Sequence, residues 1–258
     1  GWHRGYGRPV METSDTVVLV DGDIIVYRVG FSCNSGEEWS IAKSRVDRTL
    51  QDIIENTDSC MGFGYLTDGK DNFRNKVAKT APYKGNRLAN KPPFYDEIRK
   101  YLEEYHGFKM EYTQEADDAI GIQHAELTQW NIKEPIVIAS IDKDLLMIPG
   151  MHYNIAKKEM SKVSIEQAHT NFWMQVLTGD RTDNIIGLRG IGPVKAAKIL
   201  EDCNTCWNQF VKSGNAYHDH NNESFHENME LLWIRRESTH QPIFGGAYVC
   251  NVYDKYKE

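Results

Sequence analysis

The stretch Thr16-Val-Val-Leu-Val20-Asp21-Gly22 joins a short β-branched and apolar run to a carboxylate and a glycine. Such a run, closed by a turn signal, predicts a buried strand that ends at the aspartate. The same order of residues recurs twice further along the chain. Cys60 to Leu66 is closed by Thr67-Asp68-Gly69, and Pro135 to Ala139 is followed by Ser140-Ile-Asp142. Each predicted strand therefore places an aspartate at or just beyond its carboxyl end.

Segments with the spacing of an amphipathic helix lie between and after these strands. Pro92-Pro93 precedes one of them, and Ser164-Ile-Glu-Gln167 is a capping-box pattern that opens another. Strands that alternate with helices predict an α/β fold, in which a mostly parallel sheet carries helices on both faces. The strand signals fade from Ser164 onward, so a helical part with a polar loop at 215–223 is expected there. The predicted helices cover 24–31, 40–56, 95–105, 116–130, 164–177, 195–201 and 223–236.

The predicted organisation has three parts. Residues 1–15 are expected to be a leader or disordered, with Met11 as a candidate start, 16–160 to form the α/β domain and 161–258 the helical part. No apolar run approaches the length of a membrane span, and the opening residues lack the apolar middle of a secretory signal. A cytoplasmic protein without a membrane partner is expected.

The five cysteines are scattered and odd in number, which favours a reducing compartment over a disulfide framework. Cys203-Asn-Thr-Cys206 is the one closely spaced pair, and His218, His220 and His226 follow it. A zinc site there stays open as an alternative, although the histidine spacing matches no common zinc pattern. Two half-buried cysteines on a helix are the simpler interpretation.

The net charge of −7 argues at first against a nucleic-acid partner. Nine of the acids are candidate metal ligands, however, and setting them aside gives −7 + 9 = +2. From Arg74 to Lys100 there are eight Lys or Arg against Asp96 and Glu97. This local excess predicts a contact surface for DNA or RNA, and a solvated basic helix face is the alternative.

The candidate metal ligands follow strands or open helices. The carboxyl ends of parallel strands meet at one edge of a sheet, so these acids are expected to converge there. Hard oxygen ligands suit Mg²⁺ or Mn²⁺, and nine acids exceed the needs of one octahedral ion, so two ions are predicted. Each acid alone could equally be a turn residue or a helix cap. The nine are Asp21, Asp68, Glu115, Asp117, Asp118, Asp142, Asp144, Asp180 and Asp183.

A glycine-spaced turn follows the last of these acids. In Gly187-Leu-Arg-Gly190-Ile-Gly192-Pro193 the glycines permit a tight hairpin, and the proline suits the first position of a helix. Lys195 and Lys198 share one face of that helix. This helix–hairpin–helix over 177–201 predicts a grip on a phosphate through backbone amides, without reading of bases. A plain turn between two helices is the alternative.

Ala81-Pro-Tyr83-Lys84-Gly-Asn-Arg87 places two basic residues three apart beside an aromatic residue. On one helix face, Lys84 and Arg87 could hold a phosphate or stabilise charge in a transition state. Tyr83 could stack on a base.

Taken in order, these motifs resemble the 5′-nuclease superfamily: bacteriophage 5′→3′ exonucleases, flap endonucleases and the 5′-nuclease domain of bacterial DNA polymerase I. The resemblance runs from about residue 17 to residue 200. The matching stretches are Val20-Asp-Gly-Asp23, Thr67-Asp68-Gly69 with Phe73-Arg74, Tyr83-Lys-Gly-Asn-Arg87, Glu115-Ala-Asp-Asp118, Ile141-Asp-Lys-Asp144, and Gly179-Asp-Arg-Thr-Asp-Asn184 with Gly187 to Gly192.

The resemblance implies a PIN-like α/β fold with a helix–three-turn–helix DNA clamp. It implies that one metal ion is held near Asp118, that the second has Asp180 close by, and that similar hairpins hold K⁺. Lys84 and Arg87 match the basic pair at the base of the helical arch, here 74–100, where the scissile phosphate is contacted. The implied ligands are Asp21, Asp68, Glu115 and Asp117 for the first ion, and Asp142, Asp144 and Asp183 for the second.

The implied DNA-contacting residues are Arg74, Tyr83, Lys84, Arg87, Gly190, Gly192, Lys195 and Lys198. The segment from Arg87 to Tyr95 is short for a long arch, and the tail after Ser213 matches no motif of the family.

The function implied is a metal-dependent 5′→3′ exonuclease with structure-specific flap endonuclease activity on DNA, giving 5′-phosphate products. The expected enzyme is a stand-alone monomer, as in bacteriophages, acting in a host's cytoplasm on 5′ ends, flaps or nicks. Three alternatives remain: a PIN-type or RNase H-like ribonuclease that cuts RNA–DNA hybrids, a catalytically silent module that binds DNA structures, and an α/β protein with incidental acids.

Overall fold

The structure is a computed structural model that describes residues 2–3, 14–86, 90–238 and 244–258. Nine strands are present in these ranges. They are β1 (Trp2–His3), β2 (Val17–Asp21), β3 (Met61–Thr67), β4 (Lys109–Glu111), β5 (Ile136–Ser140), β6 (Gly150–Asn154), β7 (Glu159–Val163), β8 (Gly179–Asp180) and β9 (Ile185–Ile186).

Seven of the strands form one sheet in the order β1-β3-β2-β5-β6-β7, with β4 also pairing with β3. The pairs β2–β3, β2–β5, β3–β4 and β5–β6 are parallel, whereas β1–β3 and β6–β7 are antiparallel. The predicted mostly parallel sheet is therefore confirmed. Because β2 lies between β3 and β5, the carboxyl ends of the three predicted strands stand side by side.

Helices surround the sheet and make up most of the chain after β7. A 3₁₀ helix, Lys143–Met147, follows β5. The α-helices are α1 (Gly22–Ser32), α2 (Trp39–Asn56), α3 (Arg74–Val77), α4 (Tyr95–Glu104), α5 (Ala116–Thr128), α6 (Ile165–Thr178), α7 (Pro193–Ile199), α8 (Cys206–Asp219), α9 (Phe225–Leu232) and α10 (Gly246–Lys255).

Both faces of the sheet are buried, because successive side chains of a strand point to opposite faces. Val18 and Val20 of β2 join the apolar cluster that includes residues of α1, α2 and α4. Leu19 joins the cluster on the other face, which includes residues of α5, α6 and the C-terminal helices. That second cluster extends without a break to Trp233 and Val249. The helical part therefore completes the core of the α/β part.

Several elements differ from those expected from sequence. Strands β4, β6 and β7 are not predicted, and β7 carries exposed charged residues such as Glu159 and Lys162 that conceal its strand character. The loop predicted at 215–223 is wrong for its first residues, since α8 continues to Asp219. The helix predicted at 223–236 ends at Leu232, and α10 was not predicted.

Near the N-terminus, β1 pairs with β3, and most of the predicted leader at 1–15 lies outside the described residues. No helix in the described part of the chain is long and apolar enough to cross a membrane.

Candidate active site

Asp21 is the last residue of β2 and precedes the first turn of α1. Its side chain is buried, with 2% exposure, and Oδ2 accepts a hydrogen bond of 2.8 Å from Ser140 Oγ. Oδ1 has no hydrogen-bond partner among the described residues. Burial, together with Asp23 and Asp142, raises the pKa of Asp21 to about 8.

The N-terminus of α5 brings in three further acids. Glu115 caps the helix in a capping box with Asp118, whose Oδ2 accepts a hydrogen bond of 3.0 Å from the Glu115 amide. Asp117 faces the cleft, and burial, followed by the charge of Asp142 and Asp21, raises its pKa well above the ordinary value. Acids at a helix N-terminus are favoured by the dipole, which accounts for the cluster in part.

The segment after β5 supplies Asp142 and Asp144. The Asp142 amide donates to Ser140 Oγ at 3.0 Å, and Asp142 Oδ1 accepts from the Asp144 amide at 2.9 Å. The turn thus points both carboxylates toward the cleft that they line. Burial and the nearby acids Asp142 and Asp180 raise the pKa of Asp144 to about 8.

A two-stranded hairpin of β8 and β9 carries the last pair of acids. A Cβ on Gly179 would lie 2.4 Å from the Gly187 amide nitrogen, so glycine is required for the close approach of the two strands. Asp180 ends β8, and Asp183 lies in the turn before β9. Together with Asp144, these residues offer one carboxylate oxygen each, and the three oxygens lie within 4.8 Å of one another.

These carboxylates line one cleft of about 280 Å³, to which Asp117, Asp142, Asp144, Asp180 and Asp183 contribute. Asp21 is linked to the cleft through Ser140, which also accepts from the Asp142 amide, and its charge raises the pKa of Asp117. The negative charge of each carboxylate disfavours the ionised state of its neighbours. This repulsion and the burial of the side chains together raise several of their pKa values. A carboxylate oxygen of Asp21 that is buried without a partner, beside three convergent oxygens, fits a divalent cation with hard oxygen ligands.

Three cationic or hydroxyl groups meet Glu115 on the other side of the cleft. Lys84 Nζ and Arg74 Nη1 form ion pairs with its carboxylate, and Tyr83 Oη donates a hydrogen bond of 2.9 Å. Burial alone would raise the pKa of Glu115, but Arg74 and Lys84 lower it to about 2. Glu115 is therefore ionised beside acids that favour the protonated state.

The expected roles of Tyr83 and of the segment around it need correction. Tyr83 is buried, with 9% exposure, so its ring is not presented to a base. Lys84 does not lie on a helix, because it lies in a turn with a positive φ of 57°. Its amide donates to the Asp183 carbonyl at 2.8 Å, which joins this turn to the β8–β9 hairpin. Arg87 lies outside the described residues.

Asp118 and Arg74 bind each other inside the protein. Asp118 has 0% exposure, and both of its oxygens accept hydrogen bonds from Arg74. It is therefore engaged as a partner of Arg74. Arg74, with 2% exposure, is similarly withdrawn from solvent. The roles of both residues at the metal ion and at DNA stay predictions.

Other predicted residues lie outside the cleft. Asp68 follows β3, where its amide donates to the Glu111 carbonyl at 2.8 Å, and it is not among the cleft-lining residues. Gly190 and Gly192 line a separate groove of about 620 Å³, whose walls include Arg181 and Arg189. Lys195 and Lys198 are exposed on α7 after this groove. Their roles stay predictions.

The alternative of a zinc site at Cys203 and Cys206 gains no support. Cys206 Sγ lies 3.2 Å from Cys250 Sγ and accepts a hydrogen bond of 3.3 Å from Trp173 Nε1. No group of cysteines and histidines with metal-ligand spacing occurs within the described ranges.

Sequence reasoning missed three residues that shape the site. Ser140 bridges Asp21 and Asp142, and its position between strand and acid was the available signal. Asp23 was set aside, yet its Oδ1 accepts a hydrogen bond of 3.0 Å from the Thr67 amide, and burial raises its pKa. Glu227 of α9 accepts hydrogen bonds from the amide and hydroxyl of Thr80, just before the Lys84 turn. No local signal could have predicted this last contact.

No protein-family model matches the chain. A 5′-3′ exonuclease of Mycoplasma pneumoniae is 33% identical over 226 residues, which cover 75% of this chain and 74% of that protein. DNA polymerase I of Bacillus subtilis is 28% identical over 208 residues. The match covers 72% of this chain and 23% of the polymerase, so the chain spans about a quarter of the length of such relatives.

Two solved structures show the same fold. The T5 5′-exonuclease with bound zinc ions superposes with a TM-score of 0.61 at 17% identity, covering 84% of this chain and 89% of that one. The catalytic core of Rad2 in complex with a DNA substrate superposes with a TM-score of 0.51 at 13% identity, covering 96% and 90%. With the exonuclease relative at 33% identity, the conclusion is that the chain belongs to the 5′-3′ exonuclease family.

Proposed function

We propose that the protein is a metal-dependent 5′→3′ exonuclease with structure-specific flap endonuclease activity on DNA, and that it leaves 5′-phosphate products. The convergence of carboxylates in one cleft carries the proposal. Asp117, Asp142, Asp144, Asp180 and Asp183 come from three separate segments, yet they line one space of about 280 Å³. Asp21 of a fourth segment lies near them, since its charge raises the pKa of Asp117. Divalent cations relieve the mutual repulsion of such acids, and the cleft offers hard oxygen ligands.

The acids divide into two groups that would hold two ions. Asp21 and Asp117, with Glu115, form the group at β2 and α5, while Asp144, Asp180 and Asp183 form the other. Asp142 lies near both groups, since its charge raises the pKa of Asp21 and of Asp144. Mg²⁺ or Mn²⁺ at these positions would supply the positive charge that activates a water and stabilises the leaving oxygen of a phosphodiester.

The residues of the chain itself would bind and orient the substrate. Lys84 Nζ lines the cleft beside Glu115, where it would contact a non-bridging oxygen of the scissile phosphate. The groove at Gly187–Gly192 would hold a phosphate of the duplex further along, with Arg181, Arg189 and the exposed lysines of α7 around it. A potassium ion at the hairpin carbonyls belongs to the same proposal.

The solved relatives support the DNA substrate. The Rad2 core is described in complex with DNA, and one T5 flap endonuclease structure holds DNA and metal ions. We further propose action as a cytoplasmic monomer on 5′ ends, flaps or nicks. All five cysteines are free thiols, which suits a reducing compartment.

A 5′-labelled flap duplex tests the proposal directly. With Mg²⁺ or Mn²⁺ present, short 5′-labelled products and a cut near the junction are expected, and a chelator should abolish both. Asp142→Asn should remove cleavage but retain binding of the flap. Asp219→Asn, an exposed aspartate whose side chain has 77% exposure, is the matched control and should cleave like the wild type.

Parallel substrates separate the alternatives. Preference for an RNA–DNA hybrid over the DNA flap would favour the ribonuclease. Tight flap binding without any metal-dependent cutting would favour the silent binding module. Cleavage by Asp142→Asn at the wild-type rate would show that the cleft is not the catalytic site.

A further inference from the structure

Arg74 uses every donor of its side chain within the protein. Its Nε donates to the Leu231 carbonyl at 2.8 Å, and Nη2 donates to the Trp233 carbonyl at 2.7 Å. The other three N–H groups bind Asp118 through Nη1 at 2.6 Å and Nη2 at 2.8 Å, and Glu115 through Nη1 at 2.8 Å. A guanidinium has five N–H donors, so none is left over for a phosphate.

Asp118, the buried acid paired with Arg74, accepts two further hydrogen bonds from backbone amides. Its Oδ2 accepts from the amide of Glu115, and Oδ1 accepts from the amide of Arg235 at 3.1 Å. The buried carboxylate thus neutralises Arg74 and fixes the cap of α5 at the same time. Breaking a buried pair by removing one partner leaves an uncompensated charge, so the two residues depend on each other.

Residues 231–235, called here the C-terminal segment, present backbone groups to the Arg74–Asp118 pair. The carbonyl of Leu231, in the last turn of α9, the carbonyl of Trp233 and the amide of Arg235 all bind this pair. Side chains of Leu231, Leu232 and Ile234 line the catalytic cleft from the same segment.

Gly121 of α5 gives an independent sign that this contact is built into the fold. A Cβ at this position would lie 2.2 Å from the Arg235 carbonyl oxygen, so any larger residue would push the C-terminal segment away from the helix. The close approach of α5 to residues 234–235 therefore requires glycine on the helix that carries Glu115 and Asp117.

We propose that Arg74 is a positioning residue, which holds Glu115 in the cleft and fastens the N-terminus of α5 to the backbone of residues 231–235. On this proposal the C-terminal helices complete the metal-binding half of the site, although they carry none of the proposed ligands. The expected effect on DNA cleavage rests on the proposed function, whereas the expected effects on Mg²⁺ affinity and DNA affinity do not.

The test uses the full chain with Arg74→Lys, which keeps the charge but loses the fork of donors. Affinity for Mg²⁺ alone, measured by calorimetry, should fall about 10- to 100-fold, as for residues that orient metal ligands. Affinity for the flap duplex in Ca²⁺, and its dependence on salt, should stay at the wild-type level. In single-turnover cleavage the rate at saturating DNA should fall while half-saturation by DNA is unchanged.

A direct phosphate contact predicts another result. The slope of log affinity against log salt would then fall by about one on substitution, while affinity for Mg²⁺ alone would be unchanged. Either of these outcomes overturns the proposal.

Gly121→Ala is the second variant, since it disturbs the 234–235 contact without altering Arg74 or Asp118. We expect the same loss of Mg²⁺ affinity, and a folded Gly121→Ala protein with wild-type Mg²⁺ affinity would remove the role of the C-terminal segment.

If neither variant folds, hydrogen exchange of the wild type decides the question. The Arg235 amide, bonded to a buried carboxylate, should be among the slowest to exchange, and rapid exchange would contradict the proposal. A wild type that fails to cut DNA would refute the nuclease function and still leave the Mg²⁺ and exchange readouts valid.

Discussion

Lys84 touches both groups of acids, through its side chain at Glu115 and its amide at the Asp183 carbonyl. Lys84→Ala should therefore lower the single-turnover cleavage rate about 100-fold, the typical cost of removing one group that stabilises transition-state charge. Affinity for the flap duplex should change much less. Lys133→Ala, on an exposed turn, is the control, and an unchanged rate in Lys84→Ala would exclude a catalytic role for this lysine.

His124 makes folding stability depend on pH. Burial, followed by the charges of His152 and Arg236, lowers its pKa to about 3, whereas a histidine in the unfolded chain titrates near 6.5. As the pH falls below about 6.5, the unfolded chain takes up a proton that the folded protein refuses until about pH 3, so stability is lost through this window.

His124→Leu should reduce the loss of unfolding free energy between about pH 7 and about pH 5, measured by urea denaturation with saturating Mg²⁺. His218→Leu is the matched control, because the His218 side chain is 91% exposed and makes no buried contact. Equal pH dependence in the His124 variant and the wild type would show that this imidazole does not contribute.

At the level of single residues, part of the candidate site could be predicted from the sequence and part could not. Asp21, Asp142 and Asp183 could be placed in one site, because their positions at the ends of strands and turns follow from the local pattern. The contacts of Asp118 and Arg74 could not be predicted. Their partners are the backbone groups of residues 231–235, more than a hundred positions away, and a backbone carbonyl leaves no signature in the sequence.

At the scale of elements, the β8–β9 hairpin sets the spacing of Asp180 and Asp183. Gly179 has a φ of +74°, and an added Cβ would also lie 2.5 Å from the Ile185 carbonyl oxygen. Gly179→Ala should cost about 1–3 kcal/mol of unfolding free energy, the usual range for strained backbone, and should weaken Mg²⁺ binding.

Urea denaturation and Mg²⁺ calorimetry on the same sample measure both effects. Gly36→Ala, where an added Cβ meets nothing within 4 Å, serves as the control and should match the wild type in both. Normal stability and Mg²⁺ affinity in Gly179→Ala would mean that the hairpin does not fix the two aspartates.

The elements that sequence predicts best are those whose apolar pattern faces a core on one side. The helix expected at 40–56 and the strand expected at 60–66 agree with α2 and β3 to within one residue at each end. Strand β4 has only three residues and β7 is largely exposed, so neither shows the pattern.

For the whole molecule, one apolar cluster joins Leu19 and Ile138 of the sheet to Leu232 of α9 and Val249 of α10. The division predicted near residue 160 therefore does not separate two cores. Thermal unfolding should show a single transition, with far-ultraviolet circular dichroism and tryptophan fluorescence superimposing. Two resolved transitions would show that the helical part folds separately.

Strand β7 is the last strand on one side of the sheet, and most of its residues are in contact with solvent. An open strand edge invites pairing with another polypeptide, and lysine or glutamate on such an edge opposes it. Glu159 and Lys162 stand on β7. Replacing Glu159 and Lys162 with valine would remove the charges that oppose pairing at this edge. We therefore expect the variant to aggregate at high protein concentration.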